Sequence, residues 1–374
     1  MKIYLHLQFN DLQYLMLKIN NITLVNFKNF SNLELEFSPK INCFIGNNGT
    51  GKTNILDSIH YLSFCKSLLN LKDSQNIKNG ESFFIIEGNF TRFDEPEHIY
   101  CGFNKEQKKS FRRNGVEYKK LSEHIGLLPV VFTNPNDSDL IYLGSEIRRK
   151  FVDVVISQFD KNYLNSIIKY NKILEQRNSL LKNPQNPSYE NFEAWDFQLA
   201  NIGEEIFHKR MQFIKEISEI FQKYYSLIGE EREKVALRYF SNCTEKDFTI
   251  SLKNGFEKDK ILGYTSFGVH RDDFEFSLDG FQLKKYASQG QQKSYIISLK
   301  FAQFEYIKNK TGLAPILLLD DIFDKLDKTR VKNITGMVSK EDFGQIFITD
   351  TSRTRMPDIL KELDIEQKTI LLGE

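Results

Sequence analysis

The sequence predicts an α/β protein: a mixed-sheet lobe with a helical core, interrupted by an inserted helical hairpin. Three observations predict it. From Met16 to Ile45, short runs alternate polar and apolar residues and end in an apolar strand followed by a glycine-rich loop. From Ser145 to about Gly229, apolar residues recur instead at three- and four-residue steps. In the last third strands and helices alternate again, and Pro315-Ile-Leu-Leu-Leu-Asp-Asp321 reads as a strand buried on both faces.

Length and composition bound the rest. A chain of 374 residues has room for roughly two or three compact units. With 40% apolar residues, 32 Phe and 16 Tyr, it can build a large core. Lys plus Arg (51) balance Asp plus Glu (50), so the net charge is +1. That excludes a protein that coats nucleic acid by bulk attraction, though not one with local basic patches. Cys43, Cys65, Cys101 and Cys243 are widely spaced, with no C-x-x-C pair, and read as buried thiols. None of the six histidines has metal-ligand spacing. No apolar run approaches the ~20 residues needed to span a bilayer, and no signal peptide is evident. The expectation is a cytoplasmic protein with no membrane association.

Residues 1–15 read as an N-terminal extension, with Met16 an alternative start. Residues 16–144 form a first lobe, with strands at Leu17–Val25, Leu33–Phe37 and Ile41–Ile45 and a helix from near Lys52. A β-rich insertion follows, with strands around Phe83–Phe90 and His98–Phe103. In it, Asn114-Gly115 marks a hairpin turn between Lys109–Arg113 and Glu117–Leu121. Residues 145–232 are predicted to be two long helices. The first carries Phe151, Val155, Phe159, Tyr163, Ile167, Tyr170, Leu174 and Leu181 on one stripe. The second resumes at Phe192, Trp195, Leu199, Ile202 and Ile206, past a loop with Pro184 and Pro187 that no helix can continue through. Residues 233–374 complete the first lobe, with strands near Val235–Phe240 and Phe248–Leu252 and a helix from Ser294 to about Tyr306.

The strongest chemical signal is Gly46-Asn47-Asn48-Gly49-Thr50-Gly51-Lys52-Thr53, a G-x-x-x-x-G-K-[ST] loop. Strand Ile41–Ile45 leads into it, and Asn54-Ile-Leu opens a helix after it. Backbone N–H groups of such a loop wrap phosphates, and the helix N-terminus adds partial positive charge. Lys52 would reach the β- and γ-phosphates of ATP, and Thr53 would hold Mg²⁺. The loop needs an acidic partner on a neighbouring strand. Asp320 is placed to complete the Mg²⁺ shell, and Asp321 to polarise the attacking water.

Two further stretches resemble ABC-type ATPases. Ala287-Ser288-Gln289-Gly290-Gln291-Gln292-Lys293 resembles their S-G-G-Q signature loop, with Gln289 replacing the first glycine. Asp324-Lys-Leu-Asp327 resembles their D-loop. The resemblance implies an ABC-type P-loop ATPase head with an arm inserted. It also implies that the signature loop caps the γ-phosphate in a second subunit, so that ATP drives homodimerisation.

Within that class the chain is similar to the RecF family from Met16 onward. The similarity rests on Asn26-Phe-Lys-Asn-Phe30, on the phosphate loop with Asn48 and Asn54, and on Arg148-Arg149. It continues through Tyr170-Asn-Lys-Ile-Leu-Glu-Gln-Arg-Asn178, Trp195-Asp196, Gly268-Val-His-Arg-Asp-Asp273 (Val269 standing where the family has proline) and Ser288–Gln292. The last strand ends in Thr349-Asp350 in place of the histidine common in ABC ATPases, and the base position is Asp321, shorter than the usual glutamate. Both changes point to slow hydrolysis, suited to a switch rather than a motor, and the resemblance implies weak, DNA-stimulated ATPase activity. The resemblance implies recombinational repair and replication restart: clamping of double-stranded DNA near single-strand gaps, with RecO and RecR helping RecA loading. An SMC-like chromosome-structuring or break-repair head is the alternative, disfavoured because the helical hairpin is too short for a long coiled coil. The Q-loop is best placed in Asn134–Asp139.

Between Asn104 and Lys120, seven basic residues (Lys105, Lys108, Lys109, Arg112, Arg113, Lys119, Lys120) face two glutamates, a local net of +5. Arg148, Arg149 and Lys150 form a second cluster. Either can track DNA phosphates or be a solvated face. His270-Arg271 reads as structural or nucleotide-linked rather than as a DNA contact.

Overall fold

The computed structural model describes residues 17–69, 72–106, 109–183, 188–229, 233–243, 248–323, 326–339, 343–354, 359, 361 and 366–373. Strands β1 (Leu17–Phe27) and β2 (Phe30–Glu36) form a hairpin that precedes β3 (Ile41–Ile45) and helix α1 (Lys52–Phe64). Next come β4 (Phe83–Arg92), β5 (Glu95–Asn104), β6 (Ser110–Arg113), β7 (Val116–Glu117) and β8 (Val130–Thr133). The helical stretch holds α2 (Asp139–Tyr142), α3 (Ser145–Ser157), α4 (Lys161–Leu181) and α5 (Glu193–Ile228). Then follow β9 (Val235–Phe240), α6 (Phe248–Asn254), α7 (Phe256–Leu262), β10 (Asp273–Leu278), β11 (Phe281–Gln282), α8 (Leu283–Tyr286) and α9 (Gln289–Thr311). The chain finishes with β12 (Ile316–Leu319), α10 (Lys328–Val338), β13 (Ile346–Asp350) and β14 (Gln367–Leu371).

A parallel sheet of order β14-β3-β13-β12-β8 organises the molecule. Its side chains alternate between two cores, as the two-residue period of a strand requires. Cys43 and Ile45, Leu317 and Leu319, Ile346 and Ile348 enter a core shared with α5 and α9. Phe44, Ile316 and Leu318, and Phe347 enter the opposite core, shared with α1 and the antiparallel sheet β2-β1-β4-β5-β6-β7. Burial on both faces explains why β12 reads as an unbroken apolar run and why β3 and β13 are largely apolar. A third sheet, β11-β10-β9, lies beside the helical stretch. Among the described residues no helix is long and apolar enough to cross a membrane.

Three expectations are corrected. The first long helix is broken between α3 and α4. Asp160 caps α4 by accepting the Tyr163 N–H at 2.9 Å, and Gln158 turns back to accept the Val130 N–H of β8 at 2.9 Å. The predicted strand Phe248–Leu252 is helix α6, whose buried residues Phe248 and Leu252 sit one turn apart. The strand expected over Glu117–Leu121 stops at Glu117, although Asn114 and Gly115 do form the turn, both at positive φ. Pro184 and Pro187 lie outside the described residues, as do residues 1–15.

The helical stretch is fastened by buried ion pairs. Arg177 joins Asp196 of α5 (2.5 Å) to Asp259 of α7 (2.8 Å), and all three side chains are fully buried. Arg210 of α5 joins Asp153 of α3 (3.0 Å) to Asp272 (2.8 Å). Removing one member of such a cluster strands the others and costs about 3–5 kcal/mol.

Candidate nucleotide site

The carboxyl ends of the parallel strands bring three chain segments together, the usual place for ligands on such sheets. The loop after β3 turns through Gly51, at φ 102°, a left-handed conformation that strains other residues. A Cβ there would also lie 2.5 Å from Asn29 and Phe30. Asn54 donates to Asn29 Oδ1 at 2.7 Å, and Asn29 donates to Thr50 O at 3.3 Å. The β1–β2 turn therefore braces the loop from outside, which sequence reasoning missed because nothing local in Asn29 signals it.

Lys52 is buried at the start of α1. Its ammonium donates to Gly46 O (2.6 Å) and Asn47 O (2.9 Å), so the loop is curled around a cation. Thr53 Oγ1 donates to Asp320 Oδ2 at 2.8 Å, and Thr349 Oγ1 donates to Asp320 Oδ1 at 2.7 Å. Thr349 also accepts the Asp321 N–H at 2.9 Å. Thr349 thus holds both carboxylate residues, a role not assigned from sequence. Burial pushes the Asp320 carboxyl above its ordinary range, the Asp321 charge adds to this, and the two hydroxyls pull the other way. Asp321 is half-buried, at φ 52°, a costly backbone for a residue with a side chain. A threonine hydroxyl beside a carboxylate is a hard oxygen pair that fits Mg²⁺, which keeps waters and substrate oxygens as its other ligands. Among the described residues no group of three His, Cys, Asp or Glu could hold a metal by itself.

The predicted signature residues form the N-terminus of α9. Ser288 is its cap: its Oγ accepts the Gln291 N–H at 3.2 Å, and its own N–H donates to Gln291 Oε1 at 2.7 Å. Ser288 and Gln289 are exposed. A Cβ on Gly290 would lie 2.8 Å from Arg330 Nη1, so the loop lies against α10. Asp327 caps that helix, accepting the Arg330 N–H at 2.9 Å. Arg330, which the sequence did not single out, thereby links the predicted signature loop to the end of the predicted D-loop; Asp324 lies outside the described residues. Asn134, Gln289, Gln292, Asp320 and Asp321 line one cleft of about 340 Å³.

The sequence and the fold of this chain are shared with known proteins. A family model described as RecF/RecN/SMC N terminal domain matches residues 18–368. The DNA replication and repair protein RecF of Phocaeicola vulgatus is 49% identical over 358 residues, covering 95% of this chain and 96% of the relative. The chain belongs to the RecF family. RecF of Flavobacterium johnsoniae is 48% identical, over 92% of this chain and 96% of that one. A solved structure of the recombination mediator protein RecF-ATP in the RecFOR pathway aligns with TM-score 0.85 at 30% identity, covering 96% of this chain and 99% of that one. An Smc head from Pyrococcus furiosus aligns with TM-score 0.56 at 17% identity over 95% of this chain and 93% of that one, which shows the shared ABC-type head fold.

In this RecF-family chain the basic stretch is not one face of free cations. Lys109 is tied to Asp73 (3.1 Å) and Cys65 O, and Arg113 to Glu97. Arg113 shares a face of β6 with buried Phe111, whereas Arg112 points the other way, exposed over the Tyr100 ring. Lys105 is exposed and donates to Glu81 O at 3.0 Å; Lys119 and Lys120 are exposed. Lys108 lies outside the described residues. Arg148 makes a two-pronged bond to Asp273 (2.7 and 3.0 Å), and Arg149 donates to Ser145 Oγ and Asp272 O. His270 is structural: its ring nitrogens bond Tyr170 OH and Thr265 O, both at 2.9 Å, and burial pushes its pKa down to about 4. Arg271 also bonds Thr265 O. All four cysteines are buried and free, as expected.

Proposed function

We propose that this chain is an ATP-gated DNA-binding protein of recombinational repair. The observation that carries the reading is the Thr53–Asp320–Thr349 network beside the Lys52 loop. In it, ATP phosphates take over the Lys52 ammonium from the Gly46 and Asn47 carbonyls, and α1 receives the β-phosphate at its N-terminus. Thr53 and Asp320 would hold Mg²⁺, which would supply positive charge against the ATP phosphates. Asp321 orients water, and a short carboxylate in that position supports slow turnover, a switch rather than a motor.

The exposed Ser288 loop has its contacts with Gln291 and Arg330, which leaves its outer side open to a second protomer. Two heads would thus close across paired ATP molecules, each supplying Ser288 and Asp327 to its partner's nucleotide. Duplex DNA near a single-strand gap would be gripped by the dimer, with exposed Lys105 and Arg112 as contacts from each protomer. RecO and RecR are the proposed partners, consistent with the pathway named for the solved RecF relatives, and RecA loading the proposed outcome. Sedimentation tests the gating. Monomer with ADP and dimer with a slowly hydrolysed ATP analogue are expected; the same mass in both refutes it.

A further inference from the structure

The long arm helix α5 and the signature helix α9 are fastened along their shared length. Tyr306 and Lys310 both bond Glu216, Lys223 pairs with Glu305 at 2.8 Å, and Phe221 meets Tyr295 edge-on at 4.7 Å. Near the end of α5 the contact becomes a chain of hydrogen bonds that reaches the signature loop itself. Tyr225 donates to one carboxylate oxygen of Glu233. One turn earlier, Gln222 donates to Glu233 O at 3.1 Å and accepts the Val235 N–H at 2.9 Å. The other Glu233 oxygen accepts from Gln291 Nε2 at 2.6 Å. Gln291 Oε1 in turn accepts the Ser288 N–H at 2.7 Å.

We propose that Glu233 is a positioning residue for the signature loop and couples the arm helix to Ser288. The chemistry is directional. An ionised carboxylate only accepts, so Glu233 draws the NH₂ end of the Gln291 amide and sends its oxygen to the Ser288 N–H. The Ser288 hydroxyl oxygen already accepts the Gln291 N–H, so its proton is directed away from the helix, toward an incoming phosphate oxygen. Without Glu233 the amide is free to rotate and the Ser288 N–H loses its partner. Because Gln222 and Tyr225 hold Glu233 from the last turns of α5, a displacement of the arm is carried to the loop through these bonds. The coupling rests on the reading that Ser288 completes a second protomer's site.

Three variants of the full-length protein test it: Glu233→Ala, Glu233→Gln and Tyr225→Phe. Glutamine keeps the relay without charge, since its oxygen accepts from Gln291 and its NH₂ donates to the Tyr225 hydroxyl. Fluorescent-nucleotide binding, sedimentation with a slowly hydrolysed ATP analogue, and amide hydrogen exchange at residues 288–292 without nucleotide are the readouts. Glu233→Ala should bind nucleotide within about twofold of wild type, dimerise about tenfold more weakly and exchange faster at the loop. Glu233→Gln should restore both, and Tyr225→Phe should fall between. Wild-type dimerisation by Glu233→Ala overturns the coupling, as does a loss in Glu233→Gln equal to that in Glu233→Ala. A wild-type protein that stays monomeric with the analogue refutes the two-protomer reading instead. In that case the exchange data still decide whether Glu233 orders the loop, and unchanged exchange in Glu233→Ala overturns it.

Discussion

The two halves of the nucleotide machinery differ in how much of their chemistry is finished inside one chain. In the P-loop half, Lys52, Asp320 and Thr349 are buried, and hydrogen bonds within the chain join the loop, the end of β12 and β13. In the signature half, Ser288 and Gln289 are exposed on a helix N-terminus with no acidic residue in its first turn. No carboxylate of the helix itself offsets the partial positive charge of that terminus, and Glu233 reaches it only through the Gln291 side chain. On the proposed reading the first half binds phosphate. The second, oriented by Gln291, would offer its donors to an anion that its own helix does not supply. On the proposed reading, a ligand bound by the first half of one protomer is capped by the second half of another.

The largest expected effect separates the halves directly. Lys52→Ala removes the cation around which the loop is curled and should lower nucleotide affinity by about a hundredfold or more, the loss of a charge-assisted contact to phosphate. Ser288→Arg should leave affinity within about threefold while abolishing the nucleotide-dependent dimer, since a bulky cation at an exposed cap blocks approach without touching the P-loop. Titration with a fluorescent ATP analogue, followed by sedimentation of the same samples, measures both. Equal losses of binding in the two variants would break the division into halves.

A smaller effect sharpens what holds the finished half together. Thr349 is 1% exposed and bonds both Asp320 and the Asp321 N–H. Thr349→Val keeps the shape but leaves a buried acceptor and a donor unpaired, at about 1–3 kcal/mol. Single-turnover hydrolysis should slow by about tenfold while nucleotide affinity changes by less than about threefold, and Thr349→Ser should recover the rate. A Thr349→Val protein with wild-type hydrolysis would remove Thr349 from the site.

What was legible in the sequence follows the range of the interaction. The P-loop, the Asp320–Asp321 pair and the Ser288–Gln292 stretch are contiguous motifs whose chemistry is local, although the helix expected from Ser294 begins at Gln289, with Ser288 as its cap. Asn29, Glu233, Arg330 and the bridging role of Thr349 depend on segments brought together by folding. Asn29 reaches the P-loop from another strand pair, and Glu233 reaches Gln291 across 58 positions of sequence. Short apolar runs misled for a different reason. Phe248, Ile250 and Leu252 alternate like a strand, but Phe248 and Leu252 also lie one helical turn apart, and the exposed Ile250 (57%) shows which period won. The break after α3 was hidden because the apolar stripe continues across it, with Phe159 packed against Tyr306.

The same limit of range governs the basic residues, where the smallest effects are expected. Counting charges from Asn104 to Lys120 assigns equal weight to every cation, because the acids that neutralise them, Asp73 and Glu97, lie outside the run. Arg148 is likewise consumed by Asp273, with further bonds to Leu140 O and Leu143 O. The exposed cations and the paired ones should therefore respond differently to reversal. Lys105→Glu with Arg112→Glu should weaken duplex binding by about tenfold at low salt. It should lower the slope of log affinity against log salt by about one for each DNA phosphate no longer neutralised, with unfolding temperature unchanged. Arg148→Glu places a second carboxylate beside Asp273 and should lower the unfolding temperature by several degrees, leaving the salt slope of the folded protein as it was. Binding titrations at four salt concentrations, paired with thermal melts, separate the two outcomes. A slope that changes with Arg148 and not with Lys105 and Arg112 would move the DNA path from the β-sheet edge to the root of the arm.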